Sequence, residues 1–378
     1  MQYKTKQTHS KKPFSYFIAY GLCFLSLGLA GVSLGPLLPS LSEVTGTSLA
    51  QISFIFSARS LGYLIGAGGA GHFYDRVNGH KLMIFCLSLM VAGHFLIPLF
   101  PTYIIILIAM FIIGLGHAAI DIGGNVNLLW IYQSKVGPYM NAMHFCFGVG
   151  ALFSPILIQN LMGITNDGLT WPFWVLAFSF LPGIFSLFFL KAPQNPEKDH
   201  TSTNSGRANT WLIALMMFLL FLYVGIEGGF GGWIYTYVTN GEIASETAAS
   251  YMNSLFWGAL TFGRLISIPL ARKINPSKLL LGNFGAAILS LTLILLWPND
   301  KNIVWVVSAG FGLSLSSVFP TLMAMGETRM KVTGKVTSLF FIGASFGGLL
   351  MPMLLGQTFD YIGSYSVMAA PFAATFLA

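Results

Sequence analysis

The feature that most constrains this chain is the recurrence, along its whole length, of apolar runs separated by short polar connections. A helix needs about 20 apolar residues to cross the hydrocarbon of a bilayer, and these runs reach that length. The alternating segments of about ten residues that mark a membrane β-barrel do not occur. A water-soluble fold is excluded by what is available to cover it: 55% of the 378 residues are hydrophobic and only 8% are charged, whereas a soluble domain carries about 25%. The formal charge of +7 therefore belongs to loops, and no nucleic-acid partner is expected. Cys23, Cys86 and Cys146 all fall inside apolar runs and read as small buried side chains rather than disulfides. The first run, behind MQYKTKQTHSKK, is too long for a signal-peptide core, so a retained helix is expected. No Asn-x-Ser/Thr acceptor occurs, which fits a bacterial membrane better than a glycosylated cell surface.

The runs divide into twelve spans: 14–38, 49–74, 82–100, 103–129, 140–162 and 171–190, then 211–238, 249–271, 279–297, 303–325, 336–355 and 365–378. The last is short, so it is either truncated or does not cross fully. With the N-terminus inside, 16 of the 19 lysines and arginines fall in cytoplasmic segments and only Lys301 falls outside; Arg59 and Arg264 remain within spans. Cytoplasmic loops collect Lys and Arg, so this asymmetry fixes the topology. The polar stretch KAPQNPEKDHTSTNSGRANT splits the spans six and six. The expected organisation is a cytoplasmic tail (1–12), an N-terminal six-helix bundle (13–190), a cytoplasmic linker (191–210) and a C-terminal six-helix bundle (211–378). The halves match each other. DRVNGHKLM after span two corresponds to RKINPSKLL after span eight, and Gly150 and Pro155 map onto Gly347 and Pro352 at the same offset of 197. Two related six-span halves are the plan of a secondary transporter, with its site between them near mid-membrane.

Of the twelve acids, only Asp121 and Glu227 lie within spans. A carboxylate at a helix centre costs about 2.5–3.5 kcal/mol on insertion scales, so each must face water, a base or a proton. His117, Gly124 and Asn125 share the helical face of Asp121, and a polar stripe of this kind lines a cavity. Glu227 is followed by Gly228, Gly229, Gly231 and Gly232, a run expected to bend or unwind its helix beside a site. Trp233 lies deep enough to stack on a sugar ring, whereas Tyr237 suits a membrane interface. Arg59 lies mid-span and needs a partner, for which Asp121 is the candidate, giving an intramembrane ion pair. Arg264, nearer the cytoplasmic end, suits a structural pair or snorkelling. Gly343-Ala344-Ser345-Phe346-Gly347 spells GxSxG. That pattern marks a nucleophile elbow in a soluble hydrolase, but in a membrane helix small residues at this spacing serve close packing. His117 and Asp121 lack a third ligand, so no metal site is expected.

GHFYDRVNGHK (71–81) resembles the loop motif of the major facilitator superfamily, with one extra residue between Arg76 and Gly79. SARSLGYLIG (57–66), AIDIGGNVNLLW (119–130), MNAMHFCFGVGALFSP (140–155), YVGIEGGFGGWIYTY (223–237) and GLSLSSVFPT (312–321) together resemble the fucose/glucose symporter family, its sodium-dependent glucose transporter branch in particular. The resemblance implies an all-α major facilitator fold of two pseudo-symmetric bundles. It implies a hexose site in a central cavity, uptake coupled to H⁺ or Na⁺ with no other cofactor, and no enzyme activity. The span-four acid of that family matches Asp121, and its span-five amide pattern falls on Asn141 and His144, a histidine replacing an amide. Gly71, Asp75, Arg76, Gly79 and Lys81 match its cytoplasmic gate motif. The acid that many proton-coupled members carry in span one is absent from LGLAGVSLG (27–35), so Glu227 is expected to share ion coupling with Asp121. Sugar contacts are expected from Asp121, Asn125, Asn141, His144, Glu227 and Trp233, and from Asn253 by its depth in span eight. The expected location is the inner membrane, as a multi-pass monomer in the bilayer with its N-terminus cytoplasmic. A proton-driven exporter on the same scaffold and an enzyme built on Ser345 stand as alternatives.

Overall fold

A backbone in lipid must satisfy its polar groups within its own segment, so the apolar runs have one economical solution, and the chain adopts it throughout. The computed structural model describes residues 13–164, 168–193, 210–271, 273–330 and 334–378. The expected tail and residues 194–209 of the expected linker lie outside them. The described residues begin with α1 (Pro13–Val32) and, after a break at Ser33, α2 (Leu34–Thr45). A short α3 (Leu49–Ile52) leads into α4 (Phe54–Arg76), followed by α5 (Gly79–Leu99), α6 (Tyr103–Tyr132), α7 (Val136–Met162) and the broken pair α8 (Thr170–Ser179) and α9 (Leu181–Phe189). The second set is α10 (Thr210–Asn240), α11 (Glu246–Ala271), α12 (Pro276–Leu296), the pair α13 (Lys301–Leu315) and α14 (Val318–Arg329), α15 (Gly334–Ile362) and α16 (Ser366–Leu377).

Among the described residues, ten helical segments are long and apolar enough to cross a membrane. The other two expected spans differ in kind. The eighth is the 26-residue α11, less apolar because it carries Glu246, Asn253 and Arg264. The twelfth is α16, only 12 residues long. Polar side chains set the helix starts. Asn78 accepts the Lys81 N–H at 3.1 Å, Asp300 accepts the Asn302 N–H at 2.8 Å, and Ser48 forms a capping box with Gln51, each satisfying a donor the helix leaves unpaired. The glycine run after Glu227 does not unwind its helix: α10 is continuous through it. Large apolar side chains such as Phe188, Leu281 and Phe376 stand exposed on the exterior, where lipid rather than water is the favourable neighbour.

The two sets repeat one packing plan. In the first, α1 lies on α7 and α4 on α6; in the second, α10 lies on α15 and α11 on α13. The sequence match of Gly150 with Gly347 has a steric cause. A Cβ on Gly150 would overlap the Leu25 carbonyl, and one on Gly347 the Phe221 carbonyl, so each marks where two helix backbones touch. Across the sets, α4 meets α15, α7 meets α11 and α2 meets α10.

Hydrogen bonds between the sets cluster at one end, near the connections after α2, α7, α10 and α15. The Ala50 N–H donates to Asp360 Oδ2 (3.1 Å), and the Gln357 amide donates to Ala50 O (2.9 Å). Ser53 and Ser57 donate to the carbonyls of Met353 (3.4 Å) and Leu349 (2.9 Å). On the other flank, Gln159 Oε1 accepts from Tyr235 (3.1 Å) and Ser250 (3.2 Å), and its amide donates to Glu246 (3.4 Å). This end is sealed. Toward the opposite end a crevice opens, with His144 exposed on its wall.

Candidate functional site

Above the crevice and below the seal lies a cavity of about 320 Å³ to which both helix sets contribute. From the first set come Gly31 and Gly35 at the α1–α2 break, Phe56, Arg59, Ser60 and Tyr63 of α4, Gly114 and His117 of α6 and Phe147 of α7. The second set gives Val224, Glu227, Gly228, Gly231 and Gly232 of α10, Trp257 of α11, Phe319 of α14, and Phe341, Ala344, Ser345, Gly348 and Pro352 of α15. The α10 stripe of 224, 227, 228 and 231 has helical spacing, and its glycines leave room. Nothing stands within 4 Å of where a Cβ on Gly228 would be.

Asp121 sits half-buried beside this cavity and reaches it through Tyr63, whose hydroxyl donates to Asp121 Oδ2 at 2.6 Å. The Asn125 amide donates to Asp121 Oδ1 at 3.1 Å and to the Asp121 carbonyl at 2.8 Å. A carboxylate only accepts, so the amide nitrogen faces it and Asn125 Oδ1 faces His144, whose Nε2 donates across 3.1 Å. A hydrogen-bonded file therefore runs from His144 in the crevice through Asn125 and Asp121 to Tyr63 at the cavity. His117 stands edge-on to Tyr63 at 5.6 Å between ring centroids.

The expected pair of Arg59 with Asp121 does not form. Arg59 Nη1 donates instead to the Gly31 carbonyl at 2.7 Å. The break at Ser33 ends α1 in mid-bundle, and a cation suits the carbonyl end of a helix. The ion pair among the described residues is Glu227 with Arg264, Oε1 to Nη2 at 3.6 Å, with the side chains 15% and 39% exposed. That separation exceeds hydrogen-bond length, and although the Tyr223 hydroxyl also stands beside both groups, the several lone pairs of a carboxylate leave Glu227 acceptor capacity.

Two expected sugar contacts do not line the cavity. Trp233 is fully buried, donates from Nε1 to the Pro352 carbonyl at 3.0 Å and packs on Phe359; its position falls off the cavity stripe of α10. Asn253 is also fully buried, close to Gly35 at the α2–α11 contact, and does not line the cavity. Asn141 is exposed one turn before His144. Gly71, Asp75 and Arg76 end α4, and Gly79 and Lys81 start α5; the placement of the Asp75 side chain lies outside what the structure describes. Ser345 sits inside the continuous helix α15, not on the strand-to-helix turn a nucleophile elbow requires. Among the described residues no group of three or more His, Cys, Asp or Glu could hold a metal, and Cys23, Cys86 and Cys146 are free thiols.

Sequence reasoning did not find Tyr63, the Arg264 partner of Glu227, or Trp257. Tyr63 follows Arg59 by one helical turn and could have been read from that spacing. Trp257 needed the structure: it meets the cavity through Gly231, where an added Cβ would overlap its ring.

Two sets of membrane helices, closed against each other at one end around a central charged cavity, define a carrier rather than a channel or an enzyme. Residues 16–376 match the family described as Major Facilitator Superfamily, and the chain belongs to it, within a sugar-transporter-like branch: it is a multi-pass membrane protein and a secondary transporter. The chain is 30% identical over 372 residues to the Sodium-dependent glucose transporter 1 of Homo sapiens, covering 88% of this chain and 71% of that one. It is 31% identical over 395 residues to the protein of the same name from Danio rerio, covering 93% and 66%. The fold is similar to a crystal structure of a mutant of the nucleoside transporter NupG (TM-score 0.76, 14% identity, 96% and 97% of the two chains). It is also similar to a bacterial homologue of the human lysosomal transporter Spinster in an inward-facing, unoccupied conformation (TM-score 0.73, 11% identity, 98% and 95%).

Proposed function

We propose that this transporter takes up a hexose-type sugar by alternating access, driven by the co-transport of Na⁺ or H⁺. The observation that carries the reading is the central cavity. Its volume of about 320 Å³ is at the small end of the range for small-molecule sites, about 300–1,000 Å³. Its wall combines aromatic faces, suited to a sugar ring, with a few convergent polar groups, suited to hydroxyls. The names of the relatives support both the sugar and the sodium dependence. In this reading Asp121 is the cation site, cushioned by Tyr63 and Asn125, with Asn125, Asn141 and His144 on the path from the crevice. Glu227 contacts sugar and, through Arg264, answers to the charge at the site; Trp233 and Asn253 drop out of the contact set. The N-terminus and the open crevice lie in the cytoplasm of a bacterial cell, a reading the basic loops support, so the conformation is inward-facing. The 13–190 and 211–378 bundles rock about the cavity, and the 71–81 loop gates its cytoplasmic end. The carrier works as a monomer.

The test is tracer glucose uptake into proteoliposomes under an imposed inward Na⁺ gradient, an inward proton gradient, or neither. Accumulation above equilibrium under one gradient, lost in Asp121→Asn, is the expected result. Equal uptake under all three conditions overturns the coupling. A second reading, proton-driven export of a less polar molecule, is favoured by Phe56, Phe147, Phe319 and Phe341 in the cavity wall. It predicts efflux, not influx, when the proton gradient points inward.

A further inference from the structure

Arg59 is the charged side chain whose chemistry the scheme above leaves unused. Arg59 lines the cavity, and its guanidinium reaches the carbonyl of Gly31 in the same wall, a position where a cation needs compensation. Among the described residues no carboxylate lies within ion-pair distance of it. It commits one N–H, to the Gly31 carbonyl, and a guanidinium carries five donors in a rigid fork. The uncommitted donors belong to a group on α4, while the carboxylate with spare acceptor capacity, Glu227, belongs to α10 on the other side of the same cavity. A donor fork and an acceptor contributed by opposing helix sets suit a molecule that offers oxygen lone pairs at one position and hydroxyl protons at another.

We propose that Arg59 is a substrate-binding and specificity-determining residue. Its free N–H groups donate to one oxygen of the sugar while Glu227 accepts from hydroxyls elsewhere on the ring. Through this bridge the bound sugar ties α4 to α10, and with the Gly31 bond it holds the α1–α2 break in place. The inference rests on the sugar reading of the cavity.

The experiment measures binding of glucose and its monodeoxy and monofluoro analogues to the purified full chain by calorimetry. The proteins are wild type, Arg59→Lys and Arg59→Gln, the glutamine retaining a donor for Gly31. In the wild type, one hydroxyl tolerates fluorine, which still accepts, far better than hydrogen; deleting that hydroxyl weakens binding about tenfold or more, the scale for a hydrogen bond to a charged group. In the variants that deletion penalty disappears while the penalties at other positions remain, a non-additivity that identifies a direct contact. A uniform loss across all analogues, with every penalty intact, overturns the inference and leaves Arg59 as a brace for α1. Should neither variant fold, the wild-type fluoro and deoxy series decides alone: no position that distinguishes fluorine from hydrogen overturns it. If no hexose binds the wild type at all, the sugar reading falls and this inference with it.

Discussion

Tyr63→Phe is the most direct probe of the cation site, because it deletes one oxygen and leaves the ring against His117. In the structure the Asp121 carboxylate is held by two neutral donors, Tyr63 at 2.6 Å and Asn125 at 3.1 Å. The shorter bond is the stronger one. A hydrogen bond to a charged group contributes about 1.5–3 kcal/mol. Tyr63 lines the cavity, so water can approach the oxygen it vacates, and the loss falls near the lower end of that range. A driving cation must compete with these donors for the carboxylate. Removing the better one strengthens cation binding by the same free energy, about tenfold in the half-saturating concentration. The assay needs no substrate. Thermal unfolding of the detergent-purified protein is followed as Na⁺ is titrated at constant ionic strength, since a ligand of the native state raises the melting temperature by mass action. The midpoint of the rise should move about tenfold lower in Tyr63→Phe, and the rise should vanish in Asp121→Asn. An unchanged midpoint, or one displaced upward, would show that Tyr63 does not oppose the cation, and the argument for Asp121 as its site would lose its geometric basis.

Three further outcomes follow from the packing. Gly150→Ala drives a Cβ into the backbone of α1, whereas a Cβ on Gly282 meets nothing within 4 Å. Chemical denaturation should find the first variant less stable than Gly282→Ala by about 1–3 kcal/mol, the scale of overpacking; equal stability would deny the close contact. Gln159→Leu removes the bonds to Tyr235, Ser250 and Glu246 together. Spin labels at Thr47 and Ser364 should then report a larger population with the sealed end apart, and an unchanged distance distribution would count against the seal. A double-mutant cycle on Glu227→Gln and Arg264→Gln should give a coupling of about 0.2–1 kcal/mol, as for a long, partly exposed pair; a much larger value would mean the pair closes and desolvates.

Much of the bundle was legible because lipid imposes a simple rule on sequence: long apolar runs become helices, and the few charges left inside them must face inward. Depth along the helices could be read in this way, and it singled out Arg59, Asp121, Glu227 and Arg264. Azimuth around each helix could not. Two acids and two bases within spans allow more than one pairing, and the sequence offered Arg59 with Asp121 where the structure joins Arg264 to Glu227. Trp233 shows the same limit. It lies off the 224–227–228–231 stripe of α10, a displacement visible only once Glu227 is known to face the cavity. The glycines after Glu227 misled for another reason. A glycine run weakens an isolated helix, but here neighbours pack on α10 from several sides, with Trp257 over Gly231 and Phe56 over Gly232, so what the run provides is space. The GxSxG pattern likewise carried no chemistry, because the motif means something only on the turn that exposes its serine.

The hydrogen bonds at the sealed end bear on how the carrier meets its cargo from either side. Four of them pair a side chain of one helix set with a backbone group of the other, at Ala50, Met353 or Leu349, and each contributes about 0.5–1.5 kcal/mol net. In the alternating-access cycle proposed above, an empty molecule held by these bonds is turned away from that side. A solute arriving there encounters only the small fraction of copies that have swung over, and its apparent affinity is weakened by the inverse of that fraction. The same pocket, with the same contacts, would thus look like a weak binder to one compartment and a strong one to the other.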